Sequence, residues 1–175
     1  MKITIFGGTA PRPGDLAYLE AVRLGSLLAQ AGHIVLTGGY MGTMEAVSKG
    51  ASEAGGHVIG VTCDEIERWR GNKANLWVKE EWKIPTLHER MITLMDSCDV
   101  AIALPGGVGT LAEITLLWDR ILIQSTPPRP LILIGAGWQT AFAQLFSEMP
   151  AYLPPLHQQM LHFAPTVESA VDLCK

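Results

Sequence analysis

Short apolar runs rich in β-branched residues alternate along this chain with longer stretches whose apolar positions recur every three or four residues. The short runs predict strands at Ile3–Phe6, Ile34–Thr37, His57–Thr62, Leu76–Trp82, Val100–Leu104 and Leu131–Ile134, with a weaker one at Met160–Phe163. Between the first two, Leu16, Leu19, Leu24, Leu27, Leu28 and Ala31 form a helical stripe, and Gly32 supplies its stop. Further helices are predicted at Met44–Ala54, Glu89–Ser97, Leu111–Gln124, Trp138–Glu148 and Val167–Cys174. The polar stretch Asp64–Asn75 reads as a flap, and the proline-rich Pro150–Pro155 as a lead into the last strand. Strand, helix and strand repeated in this way imply right-handed crossovers. The expected fold class is therefore α/β: a three-layer domain with a mostly or wholly parallel sheet of about seven strands and helices on both faces. Residues 1–175 form one domain, with no internal repeat, low-complexity segment or linker.

Composition agrees with a sheet buried on both sides. The chain is 48% apolar in addition to 18 glycines, and only 17% charged, which excludes a disordered or fibrous chain. A formal net charge of −4 argues against a broad nucleic-acid-binding surface. It leaves room for a local phosphate pocket, because backbone N–H groups do not register in net charge. Cys63, Cys98 and Cys174 lie far apart without a Cys-x-x-Cys pair, so neither a disulfide framework nor a structural zinc site is signalled. Their usage suits a reducing, cytoplasmic compartment. The apolar opening Ile3–Phe6 is too short for a signal peptide, and no apolar run approaches the ~18–20 residues that cross a bilayer, so no membrane partner is expected.

In a parallel α/β sheet, ligands sit beyond the carboxyl ends of the strands. The most informative turn there is Leu104-Pro105-Gly106-Gly107-Val108-Gly109-Thr110-Leu111-Ala112-Glu113. Three glycines allow a tight turn and close backbone approach. The free N–H groups of the following helix then make an anion site. Thr110-x-x-Glu113 is also a capping box in form, with Thr110 as cap and Glu113 folding back on the helix terminus. A cap needs one turn residue rather than three, which favours a phosphate cradle. Two further small-residue turns share the rim: Gly7-Gly8-Thr9, and Thr37-Gly38-Gly39-Tyr40-Met41-Gly42-Thr43. Each alone reads as a tight turn; three together point to a ligand. The loops lack Gly-x-Gly-x-x-Gly, an acidic end to strand two and any Gly-Lys-Ser/Thr, which excludes the usual dinucleotide and triphosphate sites.

Arg90 falls near the start of the helix preceding the glycine loop, and strand geometry brings it to the same rim as Glu113. A cation there opposes the helix dipole. Pairing with Glu89 or another surface acid is the plain alternative to a functional role. An arginine and a carboxylate beside an anion cradle suit cleavage at an anomeric carbon: the arginine reads phosphate or ribose oxygens, and the carboxylate serves an oxocarbenium-like centre or its attacking water. That chemistry calls for no cofactor and no metal.

The run Pro105-Gly106-Gly107-Val108-Gly109-Thr110-Leu111-Ala112-Glu113 resembles the PGGxGTxxE signature of the lonely-guy family, the cytokinin riboside 5′-monophosphate phosphoribohydrolases. Gly38, Gly39, Gly42 and Met44, and the segment His88-Glu89-Arg90, match that family's order and spacing. The resemblance runs from about Ile3 to Ile134. It implies a Rossmann-like sheet, a homodimer or dimer-based oligomer, and hydrolysis of a nucleoside 5′-monophosphate to free base and ribose 5-phosphate. It further implies that Arg90 and Glu113 are the catalytic pair. The ligand would lie against Gly8, Thr9, Gly38, Gly39, Gly42, Met91 and the loop Gly106, Gly107, Val108, Gly109 and Thr110. Met91 stands where the plant enzymes carry lysine, which removes a cation. Val108 replaces an aromatic within the signature, and Thr37-Gly38-Gly39 replaces a glycine triplet. Molybdenum cofactor carrier proteins share the architecture and bind a phosphate-bearing pterin without hydrolysis, which makes a carrier the second reading. Amino-acid decarboxylation, a label often given to this family, needs a pyridoxal phosphate lysine, and none of Lys49, Lys73, Lys79 or Lys83 has a suitable setting.

The remaining candidates have ordinary readings. The five histidines show no metal spacing, although His88 lies near the site. Arg68, Arg70 and Lys73 read as a solvated face that can cover an anion as part of the flap. Trp118, Leu117, Ile121 and Leu122 read as packing. Met41, Met44, Met91 and Met95 offer an adaptable apolar wall.

Overall fold

The strands form where β-branched and aliphatic residues can be buried on both faces at once. In the order of the chain they are β1 (Lys2–Phe6), β2 (Ile34–Thr37), β3 (Val58–Cys63), β4 (Glu80–Ile84), β5 (Val100–Ala103), β6 (Leu131–Ile134) and β7 (Leu161–Ala164). This computed structural model describes residues 1–71 and 73–174, without the side chain of Arg70, so the reading of Arg70 as a solvated or covering cation lies outside the described residues. The strands pair in the order β4-β3-β2-β1-β5-β6-β7, and every pair is parallel. All carboxyl ends therefore share one rim. Register places Ile5 beside Thr37 on one side and beside Ile102 on the other.

Alternate strand residues feed two cores. Ile3, Ile5, Val35, Val58, Ile102 and Ile132 pack under α1 (Leu16–Gln30), α2 (Thr43–Glu53) and α8 (Val167–Asp172). Phe6, Leu36, Ile59, Val61, Ala101 and Leu133 pack under α4 (Leu87–Asp96), α5 (Val108–Leu122) and α6 (Ala136–Glu148). Trp118 lies in this second core, edge-on to Phe142 with ring centroids 5.9 Å apart, and donates Nε1 to the His157 carbonyl at 2.9 Å. Its packing role agrees with the sequence.

Three elements differ from the sequence expectation. The fourth strand is Glu80–Ile84, displaced from Leu76–Trp82. Asn75 explains the shift: its amide donates to the Gly39 and Tyr40 carbonyls at 3.0 Å each, and its oxygen accepts from Trp77 N at 3.1 Å. That local knot prevents pairing, and Leu76 points to solvent, 98% exposed. The real strand is an edge, with Glu80, Glu81 and Lys83 exposed, a composition that discourages pairing with another chain. The flap is a helix, α3 (Asp64–Arg70), closed by Gly71 in the left-handed conformation with φ +67°. The proline-rich lead contains a single helical turn, α7 (Pro155–Gln158), with proline at its first position. Among the described residues no helix is long and apolar enough to cross a membrane.

Candidate active site

The three glycine turns interlock through their backbones. Gly8 N donates to the Pro105 carbonyl at 3.3 Å, and the Gly8 carbonyl accepts from both Thr43 N at 2.9 Å and Thr43 Oγ1 at 3.1 Å. Gly42 closes the second turn with φ +72°, and a Cβ there would stand 2.5 Å from the Gly8 carbonyl oxygen. Gly106 packs equally closely, its missing Cβ lying 2.1 Å from Thr110 Oγ1. Gly39, at φ +75°, lies against Thr62 and Gly60. The sequence places these three glycines beside the ligand; in the structure they shape the turns, and none of them lines the cavity.

That cavity, of about 700 Å³, opens at the carboxyl ends of the central strands. Of the sequence candidates, Gly8, Thr9, Gly38, Arg90, Met91, Gly107, Val108, Gly109, Thr110 and Glu113 line it. α5 starts at Val108, with Gly107 as a cap that offers no side chain. The N–H groups of Val108, Gly109 and Thr110 thus have no intrahelical partner and face a space that no side chain obstructs. This start also corrects the capping-box reading. Thr110 is the third residue inside the helix and is buried, 3% exposed, while Glu113 lies a full turn beyond the terminus. Its carboxyl is therefore directed into the cavity wall rather than back onto the helix start.

A Cβ at Gly109 would meet nothing within 4 Å. Gly109→Ala is accordingly expected to leave the melting temperature unchanged or slightly raised, since alanine gains up to ~1 kcal/mol over glycine in a helix. Gly109 lines the cavity, so the added methyl takes up space there; if the N–H groups at the start of α5 hold a phosphate, the affinity for ribose 5-phosphate, measured by calorimetry, should fall, by about 1.4 kcal/mol for each tenfold.

Arg90 sits on the first full turn of α4, whose cap is Thr86, with Oγ1 accepting from Glu89 N at 3.2 Å. The Glu89 carboxylate bonds Thr86 Oγ1 at 2.8 Å, so the surface pairing of Arg90 with Glu89 does not form. Arg90 turns inward instead and is 5% exposed. Its Nε donates to the Val61 carbonyl at 2.7 Å and its Nη2 to the Gly38 carbonyl at 3.0 Å, which anchors it between β2 and β3. The guanidinium carbon lies 5.6 Å from the centre of the Tyr40 ring. Tyr40 is itself fixed at the end of β3: its hydroxyl donates to the Cys63 carbonyl at 3.1 Å and accepts from Cys63 N at 2.7 Å. Glycine at position 38 leaves the room that the guanidinium occupies, since a Cβ there would fall 1.8 Å from Arg90 Nη2. Arg90 Nη1 makes no hydrogen bond among the described residues and is the guanidinium's free corner.

Burial raises the Glu113 carboxyl to about 7, with Arg90 pulling the other way. The same burial lowers Arg90 from its ordinary value, and Glu113 opposes that shift. No direct ion pair joins the two among the described residues. They share a cavity across a gap that a ligand can fill. Among the described lining residues, Arg90 is the only cation.

Sequence reasoning missed Glu65, Ile66 and Trp69 of α3, together with Tyr40 and Leu87, all of which line the cavity. The signal available was Ile66 and Trp69 at a spacing of three, one helical face in an otherwise charged run. Of the four methionines, Met44 and Met91 line the cavity, whereas Met95 is fully buried in the second core. His88 is exposed and does not line it. No cluster of three metal-ligating side chains occurs among the described residues.

Comparison with known proteins follows the same lines. The sequence model of the SLOG cluster4 family matches residues 1–125. A rice protein named as a probable cytokinin riboside 5′-monophosphate phosphoribohydrolase is 30% identical over 97% of this chain and 75% of its own. An Arabidopsis cytokinin riboside 5′-monophosphate phosphoribohydrolase is 26% identical over 97% of this chain and 80% of its own. The solved structure of the molybdenum cofactor binding protein from Rippkaea orientalis superimposes with a TM-score of 0.77, at 26% identity, covering 99% of this chain and 94% of that one. The matched region spans the interlocked turns, the buried arginine and the carboxylate of α5, and on this ground the chain belongs to the SLOG cluster4 family, among the lonely-guy-like proteins that its glycine loop resembles.

Proposed function

We propose that this protein is a phosphoribohydrolase that cleaves the N-glycosidic bond of a purine nucleoside 5′-monophosphate. The observation that carries the reading is the buried Arg90 and the Glu113 carboxyl lining one cavity with the three N–H groups that begin α5, which have no intrahelical partner; burial also raises that carboxyl to about 7. The names of the plant relatives support it.

In this reading the phosphate rests on the N–H groups of Val108, Gly109 and Thr110. Their fixed orientation and the α5 dipole complement its charge. Arg90 Nη1 reaches a phosphate or ribose oxygen, while Nε and Nη2 stay tied to the sheet, so the guanidinium is held in place before the ligand arrives. The ionised Glu113 carboxylate faces the anomeric carbon. It orients a water molecule, takes its proton as the oxygen bonds to C1′, and stabilises positive charge developing on the sugar. The C1′–N9 bond breaks with its electron pair going to the base, which takes up the proton that Glu113 drew from the water, so the carboxylate is regenerated. The products are the free base and ribose 5-phosphate.

The test is incubation of the pure protein with AMP and with an N6-substituted analogue, followed by chromatography for released base. Release at a rate dependent on Glu113 is the expected result. A second reading, a carrier for a phosphate-bearing pterin such as the molybdenum cofactor, is favoured by the likeness to the Rippkaea protein and by Arg90 being the one cation among the described lining residues. No base release, together with a fluorescent pterin co-purifying with the protein, would establish the carrier instead.

A further inference from the structure

Glu65 stands in the cavity wall with one carboxylate oxygen already committed: Oε2 accepts from Leu87 N, in the first turn of α4, at 2.8 Å. That bond ties α3 to the helix that carries Arg90. Oε1 makes no hydrogen bond among the described residues. Around it the wall is apolar, formed by Ile66, Trp69, Leu87 and Met91.

The strand order locates this wall relative to the cradle. α5 follows β5, Arg90 is anchored between β2 and β3, and α3 follows β3. From β5 through β1 and β2 to β3 is three strand spacings, ~14 Å at ~4.8 Å each. A ligand whose phosphate sits on α5 and whose sugar lies between Arg90 and Glu113 therefore projects its ring toward α3. There a flat ring finds apolar faces and, among the described residues of α3, the carboxylate of Glu65, which can accept hydrogen bonds but not donate them.

We propose that Glu65 is a specificity-determining residue whose free oxygen accepts a hydrogen bond from an amino group on the ring of the bound nucleotide. The assignment rests on the phosphoribohydrolase reading for the placement of phosphate and sugar. It predicts preference for a purine bearing an exocyclic amino group over the same purine without one. Glu65 is exposed to water in the open cavity; a bound ring displaces that water, so a ring without a donor leaves the acceptor unmatched and binds less well.

The experiment measures kcat/KM and Kd for AMP, for purine riboside 5′-monophosphate, which lacks only the amino group, and for inosine 5′-monophosphate, with an oxygen in its place. The parent protein should favour AMP over purine riboside monophosphate by about tenfold. Glu65→Ala should bring that ratio close to one by weakening AMP while leaving the unsubstituted purine little changed. In Glu65→Gln the amide oxygen can keep the bond to Leu87 N and turn its NH2 toward the ring, which should shift preference toward inosine monophosphate. Equal losses for AMP and its unsubstituted analogue in Glu65→Ala would reduce Glu65 to a support for α3 and overturn the proposal, as would a parent without preference. AMP bound with the predicted preference but not cleaved would overturn the hydrolase reading alone. No binding of any of the three would overturn both.

Discussion

Glu113→Gln is expected to lower turnover by about 10²-fold or more and, at the same time, to raise the stability of the fold above neutral pH. The amide keeps the shape of the side chain but cannot take a proton from water, and losing a group that acts in the transition state costs rate on this scale. The stability gain follows from proton linkage. The folded-state carboxyl titrates near 7, against an ordinary value of 4.5, so the native protein binds the extra proton between those limits. Stability is full below about pH 4.5, declines as pH rises toward 7, and stays at the lower level above it. At ~1.4 kcal/mol per pH unit, the ionised carboxylate costs up to about 3 kcal/mol at pH 8. Glutamine removes that cost, and the melting temperature at pH 8 should rise by roughly 6–12 °C, with little difference at pH 4.5. The parent's kcat/KM should fall as pH drops through 7, since the proposed role needs the ionised form. Scanning calorimetry of both proteins at the two pH values, beside the pH–rate profile, tests the pair of claims. A variant that is inactive but no more stable at pH 8 would separate catalysis from the burial argument.

Gly38→Ala should act as an arginine mutation made at a distance. The new methyl would occupy the position of Arg90 Nη2 and press on Met44 Sδ, 2.5 Å from the ideal Cβ. The backbone there is close to the sheet, so the guanidinium is the part that gives way. It would lose its bonds to the Gly38 and Val61 carbonyls and leave the site. Turnover should fall about 10²-fold, as for loss of one positioned charge-assisted contact in a water-poor site, with a stability loss of ~1–3 kcal/mol from the two uncovered carbonyls. The decisive comparison is a double-mutant cycle with Arg90→Ala. If the alanine at position 38 acts through the guanidinium, the double variant should be no slower than Arg90→Ala alone. Losses that multiply would show that Gly38 has a separate part in the chemistry.

How much of this could be read from the residues depends on where each element gets its stability. β2 and β6 have the ends expected from Ile34–Thr37 and Leu131–Ile134, because a central parallel strand must be apolar on both faces and its run of residues says so directly. The edge strand differs from the expected Leu76–Trp82 because Glu80–Ile84 is held by one neighbour and has a mostly exposed side-chain pattern, whereas Leu76-Trp77-Val78 has the composition of a strand but is held in a turn by Asn75. Arg90 and Glu113 were legible through their positions after strands. The details that set their behaviour were not: the backbone carbonyls that hold Arg90 and the helix start that frees Glu113 from capping appear only in three dimensions. The α3 wall is not legible in the sequence because its two apolar residues sit among five charged ones, and Trp69 remains 77% exposed. A helix that packs mainly against a cavity leaves little trace of a core in its sequence.

The backbone bonds that lock the first, second and fifth turns together have a consequence for how this scaffold can change. Gly8, Thr43 and Pro105 couple the three turns so tightly that none can shift without the others, whereas α3 is tied to its neighbours α4 and β4 through side chains, Glu65 on Leu87 N and Lys83 on Glu67. The molecule thus pairs an invariable socket with an exchangeable jaw. Descendants that take up a new metabolite can redraw residues 64–70 at little risk to the machinery beneath, and divergence among such proteins should gather there first.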